Sequence, residues 1–206
     1  MLPALPDQVD RLVLLGWPAL AGLSVAAFRS RLGPVAALDI QGVLVATRRL
    51  VDPHAAVAAV ELAGRSGFTS MDLAELASFV PLPSLEVPDV DAYVLIDPSP
   101  GPDTLDVPPE QVVRAAGRSP LTVEEGVCWV AQAPEVLRDE NCFSLAGSRC
   151  GDRRVPALWL SARRPRLGWC WQGAPHPWLG TASCAGRVAL SVPVPQPSLL
   201  RRHASP

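Results

Sequence analysis

The residues best suited to chemistry in this 206-residue chain lie between Gly168 and Gly180. Three of its six tryptophans, Trp169, Trp171 and Trp178, share that stretch with Cys170 and with His176, which has a proline on either side. An indole buries a large area and its N–H needs a partner, so three together are costly to place without purpose. Two readings stay open. The segment is a pocket wall in which His176 acts as acid, base or orienting donor with Cys170 or Cys184 nearby, or it is a rigid aromatic plug over a sheet with His176 bonded to a carbonyl. A second loop, Gly147 to Arg154, gathers glycine, hydroxyl and guanidinium groups. The forks of Arg149, Arg153 and Arg154 suit a carboxylate or phosphate, whereas a purely structural turn would pair Asp152 with a neighbouring Arg.

Three kinds of chemistry find weaker support. Cys142, Cys150, Cys170, His176 and Cys184 carry the atoms zinc prefers, but zinc sites usually hold two ligands on one short loop. Here seven residues separate Cys142 from Cys150, five separate Cys170 from His176, and seven separate His176 from Cys184, so no metal ligand is assigned. A Cys-His nucleophile built on Cys170 or Cys184 with His176 lacks an assignable oxyanion donor and an orienting third group. Arg interleaved with Trp could stack single-stranded bases, yet overall acidity and the absence of Lys speak against a phosphate footprint.

Composition narrows the field further. All eighteen basic side chains are Arg, which excludes Schiff-base and P-loop lysine mechanisms and with them pyridoxal phosphate; no cofactor is expected. The formal charge of −2 hides a division. Residues 141–206 hold nine Arg against the single acid Asp152, whereas residues 1–140 hold nine Arg and nineteen acids. Either the two parts dock through complementary charge, or the basic part takes an anionic ligand. Five cysteines at irregular spacing, behind an opening segment with Asp7 and Asp10 where a signal peptide would be basic, suggest reduced thiols and a cytoplasmic protein with no membrane span.

The elements that must position these residues follow from punctuation and periodicity. Helices are expected over Pro6 to Leu15 and over Val25 to Leu32, the latter capped by Ser24 and closed by Gly33-Pro34. Further helices are expected from Asp52-Pro53 to about Leu62, over Asp72 to Phe79 and over Pro108 to Ala116. Thr122 and Glu125 form a capping box for a helix over Val123 to Ala131, and a short helix begins at Pro134. Ile40 to Thr47 and Ala92 to Ile96 read as buried strands. Beyond Asn141 short strands take over, at Cys142 to Ala146, Val155 to Ser161 and Leu167 to Gln172. A turn centred on Arg164 would set Trp159 opposite Trp169. The expectation is one α+β domain over residues 1–190, with an acidic helical part (1–140), a basic strand-rich part (141–190) packed as a mixed or antiparallel sheet ending in a Trp-rich hairpin, and a Pro/Arg-rich flexible tail over residues 191–206.

Several runs in this chain are together distinctive: Ser119-Pro120-Leu121-Thr122 with Glu124-Glu125-Gly126, then Asn141-Cys142-Phe143, then Gly147 through Ala157, then Leu167-Gly168-Trp169-Cys170-Trp171 with Pro175-His176 and Trp178-Leu179-Gly180. The sequence resembles, on these runs, an uncharacterised actinobacterial family filed as a domain of unknown function, family 5701. That resemblance implies no reaction. It supports the placement of a site in this region and a GC-rich source.

The functional expectation is a non-catalytic binding or regulatory protein. Arg149, Asp152, Arg153, Arg154, Trp169, Trp171, His176 and Trp178 would line a site for a small anionic or aromatic ligand or a protein partner. The alternative is a small enzyme using His176 with Cys170 or Cys184 and an Arg as anion clamp.

Overall fold

A computed structural model describes residues 2–115 and 117–190; the tail expected over 191–206 lies outside the described residues. Along the chain come α1 (Leu5–Leu14), α2 (Trp17–Leu20), α3 (Val25–Ala36), β1 (Val43–Ala46), α4 (Pro53–Ala59), β2 (Glu61–Leu62), β3 (Arg65–Ser66), β4 (Phe68–Thr69), α5 (Leu73–Ser78), β5 (Val80–Pro81), β6 (Ala92–Ile96), α6 (Pro109–Arg114) and β7 (Ser119–Pro120). The central helix α7 (Val123–Gln132) comes next. Among the described residues from 142 on, the regular elements are all strands: β8 (Cys142–Ser144), β9 (Ser148–Arg149), β10 (Arg154–Ser161), β11 (Arg164–Trp171), β12 (Leu179–Thr181), β13 (Ser183–Cys184) and β14 (Gly186–Val188). The fold is α+β.

Two sheets carry most of the chain's long-range pairing. One is antiparallel, in the order β1-β6-β14; the other is mixed, in the order β12-β8-β10-β11-β4. Each draws strands from both the acidic and the basic part of the chain, because β14 pairs with β6 and β4 runs parallel to β11. The charge division is bridged in the same way, by ion pairs from Arg154 to Glu75 and from Arg187 to Glu125.

Helix α7 holds the middle of the core. All ten of its residues are buried, and a helix covered all round must have packing partners all round. It packs on β1, α4 and α1, while Trp129 stacks on Phe143 of β8 at 5.3 Å. Gly126 admits the Leu145 side chain so closely that a Cβ there would lie 2.3 Å from Leu145 Cδ2. The capping box is present as expected, with the Thr122 hydroxyl accepting from the Glu125 N–H and the Glu125 carboxylate accepting from the Thr122 N–H.

Three expectations need correction. Helix α4 stops at Ala59 rather than near Leu62, because Val60 is extended and Glu61–Leu62 pairs as β2 with Arg65–Ser66. Helix α3 does not close at Gly33-Pro34 but carries Pro34 inside it and runs on to Ala36. The buried stripe Phe28, Leu32, Val35 keeps helical spacing through the proline, and that burial outweighs the roughly 3 kcal/mol a helix-interior proline costs. The β10–β11 hairpin also turns earlier than expected. Ser161 faces Arg164 across a two-residue turn, Ala162-Arg163, with φ of 52° and 58°. Positive φ at both positions makes the turn whose twist matches the flanking strands. Trp159 therefore faces Arg166, and Trp169 faces Pro156; the two indoles are not opposed.

Candidate functional site

Directly paired residues of β10 and β11 project from the same sheet face, and Arg154, Arg164 and Arg166 of the hairpin stack on aromatic rings, on both faces. On one, Arg154 lies 5.8 Å from the Phe79 ring centroid and 5.6 Å from that of Trp169, and Trp169 meets Trp171 edge to face at 4.9 Å. Arg154 is also ion-paired to Glu75 and, at 2.8 Å, to Asp152. On the other face Arg166 lies 5.0 Å from Trp159 and 5.7 Å from Phe68, with Arg164 4.8 Å from Phe68. The basic, aromatic composition of this region is thus largely engaged with itself.

Of the remaining residues singled out by the sequence, Asp152 joins this cluster and the others sit apart. Asp152 accepts from the Arg154 backbone N–H at 2.8 Å and from the Cys150 thiol at 3.1 Å; the Arg154 N–H, above all, holds its carboxyl below the usual range. Half-buried Arg149 donates to the carbonyls of Ala146 and Ser148, and burial lowers its pKa. Arg153 is exposed. His176 stands 5.4 Å from Trp178 at a tilted angle, its backbone carbonyl accepts from the Asp106 N–H, and its ring makes no hydrogen bond to either thiol among the described residues.

Cys170 packs with Cys142, Ala157, Leu179 and Trp159, and burial pushes its thiol up to about 11. Cys184 is buried in the main core, where burial raises its pKa too. Both thiols stay protonated near neutrality, the opposite of an activated nucleophile. Among the described residues no three His, Cys, Asp or Glu side chains group as metal ligands do. The structure therefore joins Asp152, Arg154, Trp169 and Trp171 in one cluster and His176 to Trp178, without bringing the histidine to a sulfur.

A different site emerges at the N-terminal turn of α7, where two adjacent carboxylates meet opposite fates. Glu125 points inward and is fully enclosed. It receives a bidentate fork from Arg187, the Tyr93 hydroxyl at 2.6 Å and the Thr122 N–H at 2.7 Å; Arg187 also donates to the Ser119 hydroxyl and, at 3.1 Å, the Pro120 carbonyl. Burial opposes the charge on Arg187, but the hydrogen bond and charge of Glu125 overcome it and leave the pKa raised. Burial, followed by the charge of Glu125, pushes the Tyr93 phenol well up.

Glu124 instead turns toward Arg48. One carboxylate oxygen, Oε1, accepts from Arg48 Nε, while the Arg48 fork also donates to the Phe79 carbonyl at 2.6 Å and to the Ala77 carbonyl at 3.3 Å. The other oxygen, Oε2, is covered from solvent and has no partner among the described residues, although the side chain is only 7% exposed. An unpaired buried acceptor is uncommon because it forgoes solvation without replacement.

Glu124 lines a pocket of about 360 Å³. Its other walls are Thr47 to Arg49, Tyr93, Thr122 and the loop from Pro81 to Val90, which contributes three prolines, Leu82, Leu85 and Val87. Side chains that line it are engaged: Thr47 donates to the Val90 carbonyl at 2.8 Å, Tyr93 to Glu125, Arg48 pairs with Glu124, and Arg49 pairs with Asp89 and Asp91. A small, mostly apolar concavity is the usual form of a small-molecule site. The sequence offers a signal only in retrospect, since Glu124-Glu125 reads as a cap beside solvent and Arg48 lies far away in the chain.

Both this pocket and the hairpin fall inside the region matched by a family model, residues 11–190, whose description is "Family of unknown function (DUF5701)". The chain belongs to that family. Family membership covers both sheets, α7 and the pocket walls, and assigns no reaction to any of them. No curated protein and no solved structure matches the chain. Among the described residues no helix is long and apolar enough to cross a membrane.

Proposed function

We propose that this protein is a non-catalytic binding protein for a small molecule held in the pocket between the α7 N-terminal turn and the Pro81–Val90 loop. The observation that carries the reading is a mostly apolar pocket of about 360 Å³ whose lining side chains Thr47, Arg48, Arg49, Tyr93 and Glu124 are already paired within the protein. Binding is favoured over catalysis because the pocket walls hold neither a thiol nor an imidazole among the described residues, and the Glu124 carboxylate is already paired with Arg48. The test is a ¹⁵N-HSQC titration with benzyl alcohol, comparing the natural chain with Val87→Trp, which fills the pocket. Saturable shifts at Thr47, Leu85, Val90 and Thr122 that vanish in the variant are expected. Shifts confined to Trp169, Trp171 and Trp178, or none at all, would sink the proposal.

A second reading keeps the hairpin as an anion site, because half-buried Arg149, among the described residues, donates only to carbonyls and exposed Arg153 lies beside Gly173. Inorganic phosphate should then shift the Trp171 indole resonance, and Arg149→Gln should remove that shift.

A further inference from the structure

The β10–β11 hairpin sets an arginine among aromatic rings twice, and the two charges are met differently. Arg154 stacks near Phe79 and Trp169 and has the carboxylates of Glu75 and Asp152. Arg166 lies near Phe68 and Trp159 in the same manner, because strand register sets Phe68, Arg166 and Trp159 side by side across β4, β11 and β10. Gly168 lets the Trp159 ring lie across β11, since a Cβ there would come within 2.3 Å of it. Among the described residues, however, no carboxylate pairs with Arg166. None pairs with Arg164 either, which lies over the same Phe68 ring and donates from Nε to the Ser66 carbonyl at 2.8 Å. Residues 191–206 contain no Asp or Glu. Of β2, β3, β4, β10 and β11, only β2 carries an acid, Glu61, against Arg65, Arg154, Arg164 and Arg166. The Nε of Arg166 is covered and unpartnered, whereas its two terminal nitrogens, like those of Arg164, are uncovered and form no hydrogen bond among the described residues.

Two guanidinium groups over one ring repel each other, and a monoanion offsets one charge where a dianion offsets both. Guanidinium forks suit the oxygens of a phosphate, and a phosphate monoester carries close to two negative charges at neutral pH. A nucleic-acid phosphate carries one, and stacked bases need free ring faces, whereas Phe68 and Trp159 are already engaged by the guanidinium groups. We propose that Arg164 and Arg166, set in place by Phe68 and Trp159, bind the dianionic phosphate group of a small phosphate monoester. The site lies at the turn end of the hairpin, of which Arg154 and Trp171 mark the opposite end, and it stands independently of the pocket beside α7.

The test is a titration of the full chain slightly above neutral pH and at constant ionic strength, followed at the Trp159 indole N–H resonance. Phenyl phosphate, a dianion above its second pKa of about 6, is compared with phenyl sulfate, which has the same shape and a single charge. Phenyl phosphate should bind about tenfold or more tightly, the scale of one charge-assisted hydrogen bond. Arg166→Gln and Arg164→Gln should each weaken phenyl phosphate by about tenfold and bring it toward the sulfate, since either leaves a single cation on the Phe68 ring. Equal binding of the two esters to the natural chain overturns the dianion assignment. A shift at the Trp171 indole with none at Trp159 would place the anion at the other end of the hairpin, and tighter binding of a single-stranded oligothymidylate than of phenyl phosphate would make the patch a nucleic-acid surface; either result overturns the proposal. So does a Trp159 resonance that no probe moves. The ranking in the natural chain decides the matter even should a variant fold poorly.

Discussion

Glu124 and Glu125 are neighbours on the first turn of one helix, both buried, yet the protein treats them as opposites. The Glu125 side is closed: every lone pair is answered, by an Arg fork from β14, a phenol from β6 and the backbone N–H of the helix's own cap. The Glu124 side is half open, with one oxygen held and one left over beside a pocket. A fully satisfied buried network fixes a single arrangement of the elements around it. A half-satisfied one costs free energy. The difference between adjacent positions therefore separates a closed network from a half-open one within a few ångströms.

The largest effect is expected on the Glu125 side. Arg187→Ala leaves a fully enclosed carboxylate without its cation, and removal of one partner from a buried pair typically costs about 3 to 5 kcal/mol. Urea unfolding should show a loss of that order, and a loss below about 1 kcal/mol would mean that the network is not closed. Gly126→Ala comes next. The added methyl meets Leu145, and overpacking of that kind costs about 1 to 3 kcal/mol; the same measurement with Leu145→Val added should recover part of it if the collision is the cause.

Two thiols test whether the core about α7, which holds Cys128, and the smaller cluster against which Cys170 packs are sealed. Burial sets Cys128 at about 12 and Cys170 at about 11, both above the free-thiol value of about 8.5. A group whose pKa is raised on folding stabilises the native state fully below its unfolded value and loses that contribution as pH climbs through the folded one. Stability should hold up to about pH 8.5 and fall between there and about pH 12, with replacement of both cysteines by Ala flattening the decline. A decline unchanged in the double variant would remove the thiols from the explanation. The smallest effect belongs to Glu124→Gln, which keeps the contact to a partly exposed Arg48 and should alter unfolding free energy by less than about 1 kcal/mol. A loss as large as that of Arg187→Ala would erase the contrast between the two carboxylates.

Much of the frame was legible in local chemistry. Ser24, Asp52, Asp72 and Thr122 all occupy N-caps and accept backbone N–H groups there, and the apolar runs at Val43–Ala46 and Ala92–Ile96 are buried strands. The hairpin was legible as a hairpin but not in register, because its turn, Ala162-Arg163, adopts positive φ without the Gly or Asn that would announce it. The Arg/Trp segment was conspicuous for composition, yet its cations stack on its own rings, a pairing decided by cross-strand geometry and by Phe68 and Phe79 from distant elements. The pocket was illegible for a related reason. Its floor and walls come from Thr47 to Arg49, from residues between Pro81 and Val90, and from Tyr93, Thr122 and Glu124, and although the spacing from Thr122 marks Glu125 as the cap, nothing local marks Glu124 as more than a first-turn acid.

The position of β14 carries a consequence for how the chain becomes a protein. Its residues complete the sheet begun by β1 and β6 and supply the guanidinium that closes around Glu125, yet they are made by the ribosome only after the whole five-stranded sheet. Until then β6 has an open edge and a buried-type glutamate has no cation. A nascent chain halted before Gly186 would present that unpaired edge to its surroundings, so the sheet whose first strand is synthesised earliest is the later of the two to be sealed.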